Sequence, residues 1–222
     1  MAVRPVFAHP WDVSPAEARA IQNQLRERVC VHPLECQPGV VAGVDVSVKG
    51  GAARAAVVLL SYPDLIPFQA ATAKLPVSFP YVPGLLAFRE GPVVLAALEQ
   101  LTSEPDVLMF DAQGMAHPRR MGLATHLGIL LDMPAVGCAK SRLCGRDVVP
   151  DQEKGSWLPL EDRDEVIGAV VRTRSRVRPV YVSVGHRVDL EAAISLVLSC
   201  ATKYRLPEPT RWAHRVAGGE AL

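Results

Sequence analysis

The sequence predicts an α/β protein: a mixed sheet of three antiparallel strands followed by strand–helix repeats, with helices on both faces. Two observations carry that expectation. Three strand-like runs separated by short turns occupy residues 40–75, and beyond them apolar strand-like and helical runs alternate as far as residue 200. Ligands in such sheets usually sit at the carboxyl ends of the strands.

The elements follow in order. SPAEARAIQNQLRERV is a helix start, with Ser14 as N-cap, Pro15 at the first helical position and Glu17 completing a capping box. Ile21 and Leu25 mark its apolar stripe, which leaves Gln22, Arg26 and Glu27 outward. VVAGVDVSV (40–48) and ARAAVVLLS (53–61) flank Lys49-Gly50-Gly51, a hairpin turn, and a third strand runs over 65–75 after a Tyr62-Pro63-Asp64 turn. PYVPGLLAFREGP (80–92) opens on a tyrosine between two prolines, which fix φ and restrict their neighbours, so Pro80-Tyr81-Val82-Pro83 is a stiff extended tip. A helical region over 85–101 follows, interrupted where Gly91-Pro92 starts a second segment. DVLMFD (106–111) is a buried strand ending in a carboxylate, RRMGLATHLGILLDM an amphipathic helix, and PAVGCAK a strand. Residues 145–165 form an exposed charged loop holding Trp157. EVIGAVVR and RPVYVSVGH make another hairpin, DLEAAISLVLSC is a helix, and a polar tail with Pro207 and Pro209 closes the chain.

At 222 residues, 49% of them hydrophobic and 21% charged, the chain is expected to form one domain over 1–222. The net charge of +1 excludes a whole-molecule field that attracts nucleic acid, so any basic patch is local. Arg172, Arg174, Arg176 and Arg178 alternate in RTRSRVR; on a hairpin they would share one face, either as a phosphate-binding strip or as a solvated edge. Five cysteines, an odd number without a CxxC pair, argue against a zinc site or a disulfide framework and fit reduced, buried thiols. With no signal-like start and no apolar run long enough to span a bilayer, the expectation is a soluble cytoplasmic protein, by default a monomer without membrane contact.

Asp45 is an anomaly inside VVAGVDVSV, where Val44 and Val46 point to the opposite face. A carboxylate there is costly unless paired, hydrogen-bonded or bound to metal; a solvated strand end or a structural salt bridge is the bland alternative. Asp111 repeats the pattern at the end of VLMF. If the two strands are neighbours, about 4.8 Å apart, one divalent ion could bridge both carboxylates. Glu90 is a candidate third oxygen ligand, and such donors suit Mg²⁺ or Mn²⁺. Widely spaced acidic residues alone do not establish such a site.

Six ordered segments add to them. AGVDVS (42–47), PYVPGLLAFREGP, FDAQGMAHPRRMGLATHLG, PAVGCAKSRLCG, VYVSVGHRVDL and RLPEPTRWAH (205–214) resemble, in order, the motifs of the endonuclease V family over nearly the whole chain from Asp45 onward. The resemblance implies a ribonuclease H-like fold and a metal-dependent nuclease that recognises deoxyinosine, the product of adenine deamination. It implies hydrolysis of the second phosphodiester bond 3′ to that base, leaving a 3′-hydroxyl and a 5′-phosphate, with Mg²⁺ as cofactor and Mn²⁺ as a substitute. DNA containing deoxyinosine is the implied partner, and inosine-containing RNA the alternative.

Carried over by motif, Asp45, Glu90 and Asp111 are metal-binding carboxylates, Lys140 the catalytic-site lysine, and His214 a residue near the metal. Without the motif, Lys140 would be a snorkelling strand-end lysine and His214 a solvated tail histidine. Tyr81 becomes a wedge inserted where the altered base leaves the stack, rather than a core tyrosine. The extruded base would enter a pocket built by Pro83, the Gly84-Leu85-Leu86 turn and the loop after Asp111. His117 could contact phosphate or base there, and Arg119 and Arg120 the backbone, whereas His126 and His186 are expected to be structural. One departure stands out: Ala112 occupies a position where the family usually has glycine, which puts base selectivity in doubt if that position needs φ > 0 or close base approach. Two other classes remain. A nucleic-acid-binding protein without catalysis is disfavoured by the presence of all three carboxylates and Lys140. An actin-like ATPase is disfavoured because Asp45-Val46-Ser47 lacks the expected Asp-x-Gly.

Overall fold

The computed structural model describes residues 3–222. Eight strands form one sheet in the order β3-β2-β1-β4-β5-β8-β7-β6. β1 (Val40–Lys49), β2 (Ala52–Ser61) and β3 (Pro67–Pro76) are the antiparallel meander the sequence predicts. Gly50 and Gly51 make its first turn, both at positive φ, as a two-residue hairpin loop requires. β4 (Val107–Phe110) and β5 (Ala135–Ala139) add parallel to β1, and β6 (Trp157–Asp162), β7 (Glu165–Val171) and β8 (Val180–His186) complete the sheet by antiparallel pairing.

Strand alternation sorts the core into two faces. Ala42, Val44, Val57, Leu59, Leu108 and Phe110 pack with α2 (Leu86–Leu98) and α3 (Leu123–Leu131) on one side. Val41, Met109 and Val136 face α4 (Leu190–Cys200), while Ala56, Val58 and Leu60 face α5 (Glu208–Gly218) on the other. The first helix, α1 (Pro15–Arg26), carries the expected capping box: Ser14 Oγ accepts from the Glu17 N–H at 3.3 Å, and the Glu17 carboxylate accepts from the Ser14 N–H at 2.8 Å.

Several expectations are corrected. Helix α2 runs unbroken through Gly91-Pro92; a side chain at Gly91 would strike the Trp11 ring, so the glycine serves close packing rather than a helix break. Helix α3 is buried at all nine positions instead of amphipathic, because the sheet covers one side of it and α1 and α2 the other. Residues 157–162 form β6, an edge strand that tolerates Pro159 and therefore lacks a clean alternation. The proline-rich tail is α5: Pro207 and Pro209 sit at its start, where a missing N–H costs nothing, and Gly219 caps its end in the left-handed conformation. The arginines of 172–178 form no strip. Arg172 is buried and donates to the Asp151, Pro150 and Val177 carbonyls, and Arg176 adopts a positive φ in the turn. All five cysteines are free, with Cys138 and Cys200 buried but Cys30 and Cys36 exposed, so burial does not account for every thiol. Among the described residues no helix is long and apolar enough to cross a membrane.

His126 and His186 hold the frame together. His186 accepts the Cys30 N–H at Nδ1 and meets Asp132 at 3.2 Å through Nε2. His126, fully buried in α3, bonds His9 through the two Nε2 atoms at 2.6 Å and packs against Trp11 and Phe88. Burial, with a smaller push from His9 and His117, drives its pKa down to about 3. The unfolded chain takes up this proton near pH 6.5 and the folded chain does not. The contribution to stability is therefore full above pH 6.5 and lost as pH falls toward 3. Urea unfolding from pH 7 to pH 4 should show a loss from this group on the order of 3 kcal/mol, absent in His126→Phe. Parallel pH profiles of the two proteins would contradict it.

Candidate active site

The register of the two central parallel strands decides where the carboxylates meet. Val44 pairs with Phe110, and the Asp111 N–H donates to the Val44 carbonyl at 3.0 Å. The next residue along each chain, Asp45 and Asp111, consequently lies beside its counterpart where the β1–β4 pairing ends, on the face that α5 covers. Helix α5 brings His214 to the same point, with Nδ1 2.7 Å from Asp45 Oδ2. One ligand atom from each of Asp45, Asp111 and His214 lies within 4.8 Å of the others. Two carboxylate oxygens and one imidazole nitrogen at that spacing can hold a divalent cation that accepts oxygen and nitrogen donors.

Lys140, just past β5, sets its ammonium directly against Asp111 Oδ2. Its own carbonyl accepts from Arg205 Nη2 at 2.6 Å, and the same nitrogen reaches the Pro179 carbonyl at 2.8 Å. Burial raises the Asp111 pKa, and the Lys140 hydrogen bond and charge oppose that rise. Glu90 comes from α2, whose body packs on the opposite face, and does not join the close trio. Its pKa is pushed up to about 8, first by burial and then by the Asp45 charge, with Arg89 opposing and Asp111 adding. A carboxyl so placed is proton-bound until positive charge arrives.

A cavity of about 510 Å³ opens from these residues toward the tip. Asp45, Asp111, Lys140 and His214 line it together with Tyr81, Pro83, Gly84, Leu86, Ala112 and His117. Tyr81 is 72% exposed, so it is no core residue. Ala112 is nearly buried and has an ordinary negative φ, so the backbone at this position does not require glycine. His117 departs from its expected role. Its Nδ1 accepts the N–H groups of Arg119 and Met121 at 3.1 and 3.3 Å, and its Nε2 meets the Gly84 carbonyl at 3.0 Å, so no ring nitrogen is left for phosphate or base. Burial lowers its pKa to about 4, which keeps it neutral. Arg120 is likewise committed, paired with Asp162 at 3.0 Å and Glu165 at 2.8 Å.

Sequence reasoning missed Arg205 and Gln22. Arg205 stands in the motif that carries His214, but nothing in its spacing announces a bond to the Lys140 carbonyl. Gln22, assigned to the outer face of α1, is fully buried against the turn at Gly84. Helix α5 had a readable signal, prolines at a helix start followed by Ala213, Val216 and Ala217 at helical spacing.

Comparison with known proteins adds to this geometry. A profile of the family described as Endonuclease V matches residues 23–215. Endonuclease V of Roseiflexus sp. (strain RS-1) is 53% identical over 211 residues, 95% of each chain. That of Methanothrix thermoacetophila is 53% identical over 214 residues, 96% of this chain and 95% of the other. The crystal structure of Endonuclease V from Streptomyces avermitilis superposes with a TM-score of 0.90 at 44% identity, over 98% of this chain and 96% of that one. Ciona intestinalis Endonuclease V, solved in complex with a 24mer DNA containing an inosine followed by a ribo-adenosine, gives a TM-score of 0.78 at 30% identity over 91% and 95%.

Gly43 lets α5 cross β1, since a Cβ there would lie 1.9 Å from the Pro209 carbonyl oxygen. Gly43→Ala should therefore displace α5 and with it His214. We expect Mn²⁺ binding, followed by loss of the free-ion EPR signal, to weaken about tenfold or more while the protein stays folded. Unchanged Mn²⁺ affinity would show that His214 does not depend on this crossing.

Proposed function

Because the chain belongs to the endonuclease V family, and is therefore an endonuclease of ribonuclease H-like fold, we propose that it recognises deoxyinosine in DNA and hydrolyses the second phosphodiester bond on its 3′ side. The products are a 3′-hydroxyl and a 5′-phosphate. The observation that carries this reading is the convergence of Asp45, Asp111 and His214 within 4.8 Å, in the wall of the cavity that Tyr81 also lines. The inosine-containing DNA held by the Ciona intestinalis relative supports the choice of substrate.

Asp45, Asp111 and His214 would hold the divalent cation, Mg²⁺ or Mn²⁺, with Glu90 completing the acidic set once positive charge lowers its raised pKa. When bound, such an ion supplies Lewis-acid charge stabilisation to a phosphoryl transfer. This chain's own residues do the rest. Lys140, released from Asp111 when a phosphate arrives, holds the scissile phosphate with a compact ammonium. Arg205 fixes the Lys140 backbone from behind. Water attacks phosphorus, the bond to the 3′ oxygen breaks, and that oxygen takes up a proton.

Tyr81 fills the gap left by the extruded base, stacking worth about 1–3 kcal/mol. The base occupies the pocket between Pro83, Gly84 and Leu86 on one side and Ala112 on the other. Backbone groups there distinguish the hypoxanthine oxygen from the amino group of adenine, and a tight wall excludes the 2-amino group of guanine. A second reading, cleavage 3′ to inosine in RNA, is favoured by the ribo-adenosine that follows inosine in the relative's complex. It differs only in admitting a 2′-hydroxyl near the cleaved bond.

Labelled strands carrying one deoxyinosine, one adenine, or inosine in RNA separate these readings. A Mg²⁺-dependent nick one nucleotide beyond deoxyinosine, abolished by EDTA and reduced by about 10³-fold in Asp111→Asn, is expected. Cutting confined to the RNA strand would select the second reading, and cutting without base preference would reject the pocket assignment. Ala112→Gly should strengthen inosine binding by widening the approach to the base, read as a lower KM. Equal affinity and selectivity in both proteins would discard that idea.

A further inference from the structure

The carbonyl oxygen of Gly84 receives three side chains from two separate parts of the chain. Gln22 Nε2 lies 3.1 Å away, Arg119 Nη2 2.6 Å and His117 Nε2 3.0 Å. Since His117 Nδ1 already accepts two backbone N–H groups, Nε2 carries the hydrogen and donates to this oxygen. A carbonyl with two lone pairs rarely gathers three such donors. The residue they hold has φ +79°, and a Cβ there would come within 2.8 Å of Arg119 Nη2, so both the backbone and the space call for glycine. Gly84 directly follows Tyr81-Val82-Pro83, and the Leu85 N–H closes the turn on the Val82 carbonyl at 2.9 Å. The grip on this one oxygen therefore anchors the exposed tip.

Gln22 is the unexpected member. Its Nε2 donates to the Met121 carbonyl at 3.1 Å as well as to Gly84, and its Oε1 accepts from Arg119 Nε at 2.6 Å. All of these contacts go to the two segments that frame the cavity, the turn after the tip and the loop ending at Met121. A fully buried amide loses hydration and rotamer freedom, and an apolar side chain would attach α1 to the core without the desolvation and with a smaller entropic loss. The amide is explained by what it ties together.

We propose that Gln22 is a positioning residue for base recognition, which reaches from α1 to fix the separation between the Tyr81 tip and the Met121 side of the pocket. It touches no substrate and acts through Gly84 and Arg119. The inference rests on the reading of tip and pocket given above. Discrimination against a 2-amino group depends on walls that do not yield, so a looser tie should cost selectivity before it costs bond breaking. The Gln22 side chain bonds Gly84, Met121 and Arg119, while Lys140 pairs with Asp111.

The experiment compares cleavage of strands carrying deoxyinosine, deoxyguanosine or deoxyadenosine at one position by the parent, Gln22→Leu, Gln22→Glu and Arg119→Gln. Gln22→Leu is expected to lower the inosine-over-guanine ratio of kcat/KM about tenfold, chiefly through KM, with kcat changed less than about threefold. A 2-aminopurine beside the inosine should brighten less on binding, reporting poorer extrusion. Gln22→Glu keeps the acceptor for Arg119 but turns an acceptor oxygen toward the Gly84 and Met121 carbonyls, so it should lose selectivity at least as much as Gln22→Leu although its shape is conserved, which separates positioning from packing. An unchanged ratio in a folded Gln22→Leu overturns the proposal. If that variant does not fold, Arg119→Gln, altered at a part-exposed side chain, takes its place, and an unchanged ratio there overturns it equally. A parent enzyme without inosine preference would sink both this proposal and the pocket reading beneath it, whereas parental preference retained in the variants would sink the role of Gln22 alone.

Discussion

The pairing of two short parallel strands governs this molecule. The hydrogen bond from the Asp111 N–H to the Val44 carbonyl fixes the register of β1 against β4, and with it the juxtaposition of Asp45 and Asp111. A slip of one residue would send one carboxylate to the face covered by α2 and α3 and leave an uncompensated charge in an apolar core. The strands around this pair are almost wholly apolar, which makes the register firm. The same burial raises the pKa of Asp111 and pushes that of Glu90 up to about 8.

That electrostatic strain organises the surroundings. Asp111 is met by the Lys140 ammonium and Asp45 by His214, while burial and the Asp45 charge push the Glu90 pKa up to about 8. Each arrangement compensates negative charge that burial disfavours, and each leaves the group available to exchange its partner for a cation or a phosphate. Ion pairs elsewhere, such as Arg187 on Asp132 at 2.7 and 2.8 Å, stand apart from this cavity and tie β8 to the end of α3.

At the Tyr81 tip the constraint is steric and directional. Two prolines stiffen the tip, and three donors hold the carbonyl of the glycine that follows. Rigidity is thus concentrated where a base must be told from its analogues, and polarity where a phosphate must be handled. The tip and the carboxylates share one cavity, to which the start of α2 contributes Leu86 and Ala87.

What the sequence determined by itself was local or periodic: the capping box of α1, the glycine hairpin, the strand-like apolar runs of β1, β2 and β8, and the ordered motifs carrying Asp45, Glu90, Asp111 and Lys140. Period and turn chemistry are properties of neighbouring residues, so they can be read along the chain. Contacts across distant segments decided the rest. Gln22 looks like an outward polar residue on an amphipathic helix until the Gly84 turn is packed against it. His117 and Arg120 look free to bind a ligand until the backbone of 117–121 and the carboxylates of 162 and 165 claim them. The prolines of the tail hide α5 until Gly43 on β1 offers the only kind of surface a helix backbone can approach so closely. A hydrogen-bonding group has no preference among partners in the sequence; only the folded chain, by excluding water and fixing distances, chooses one.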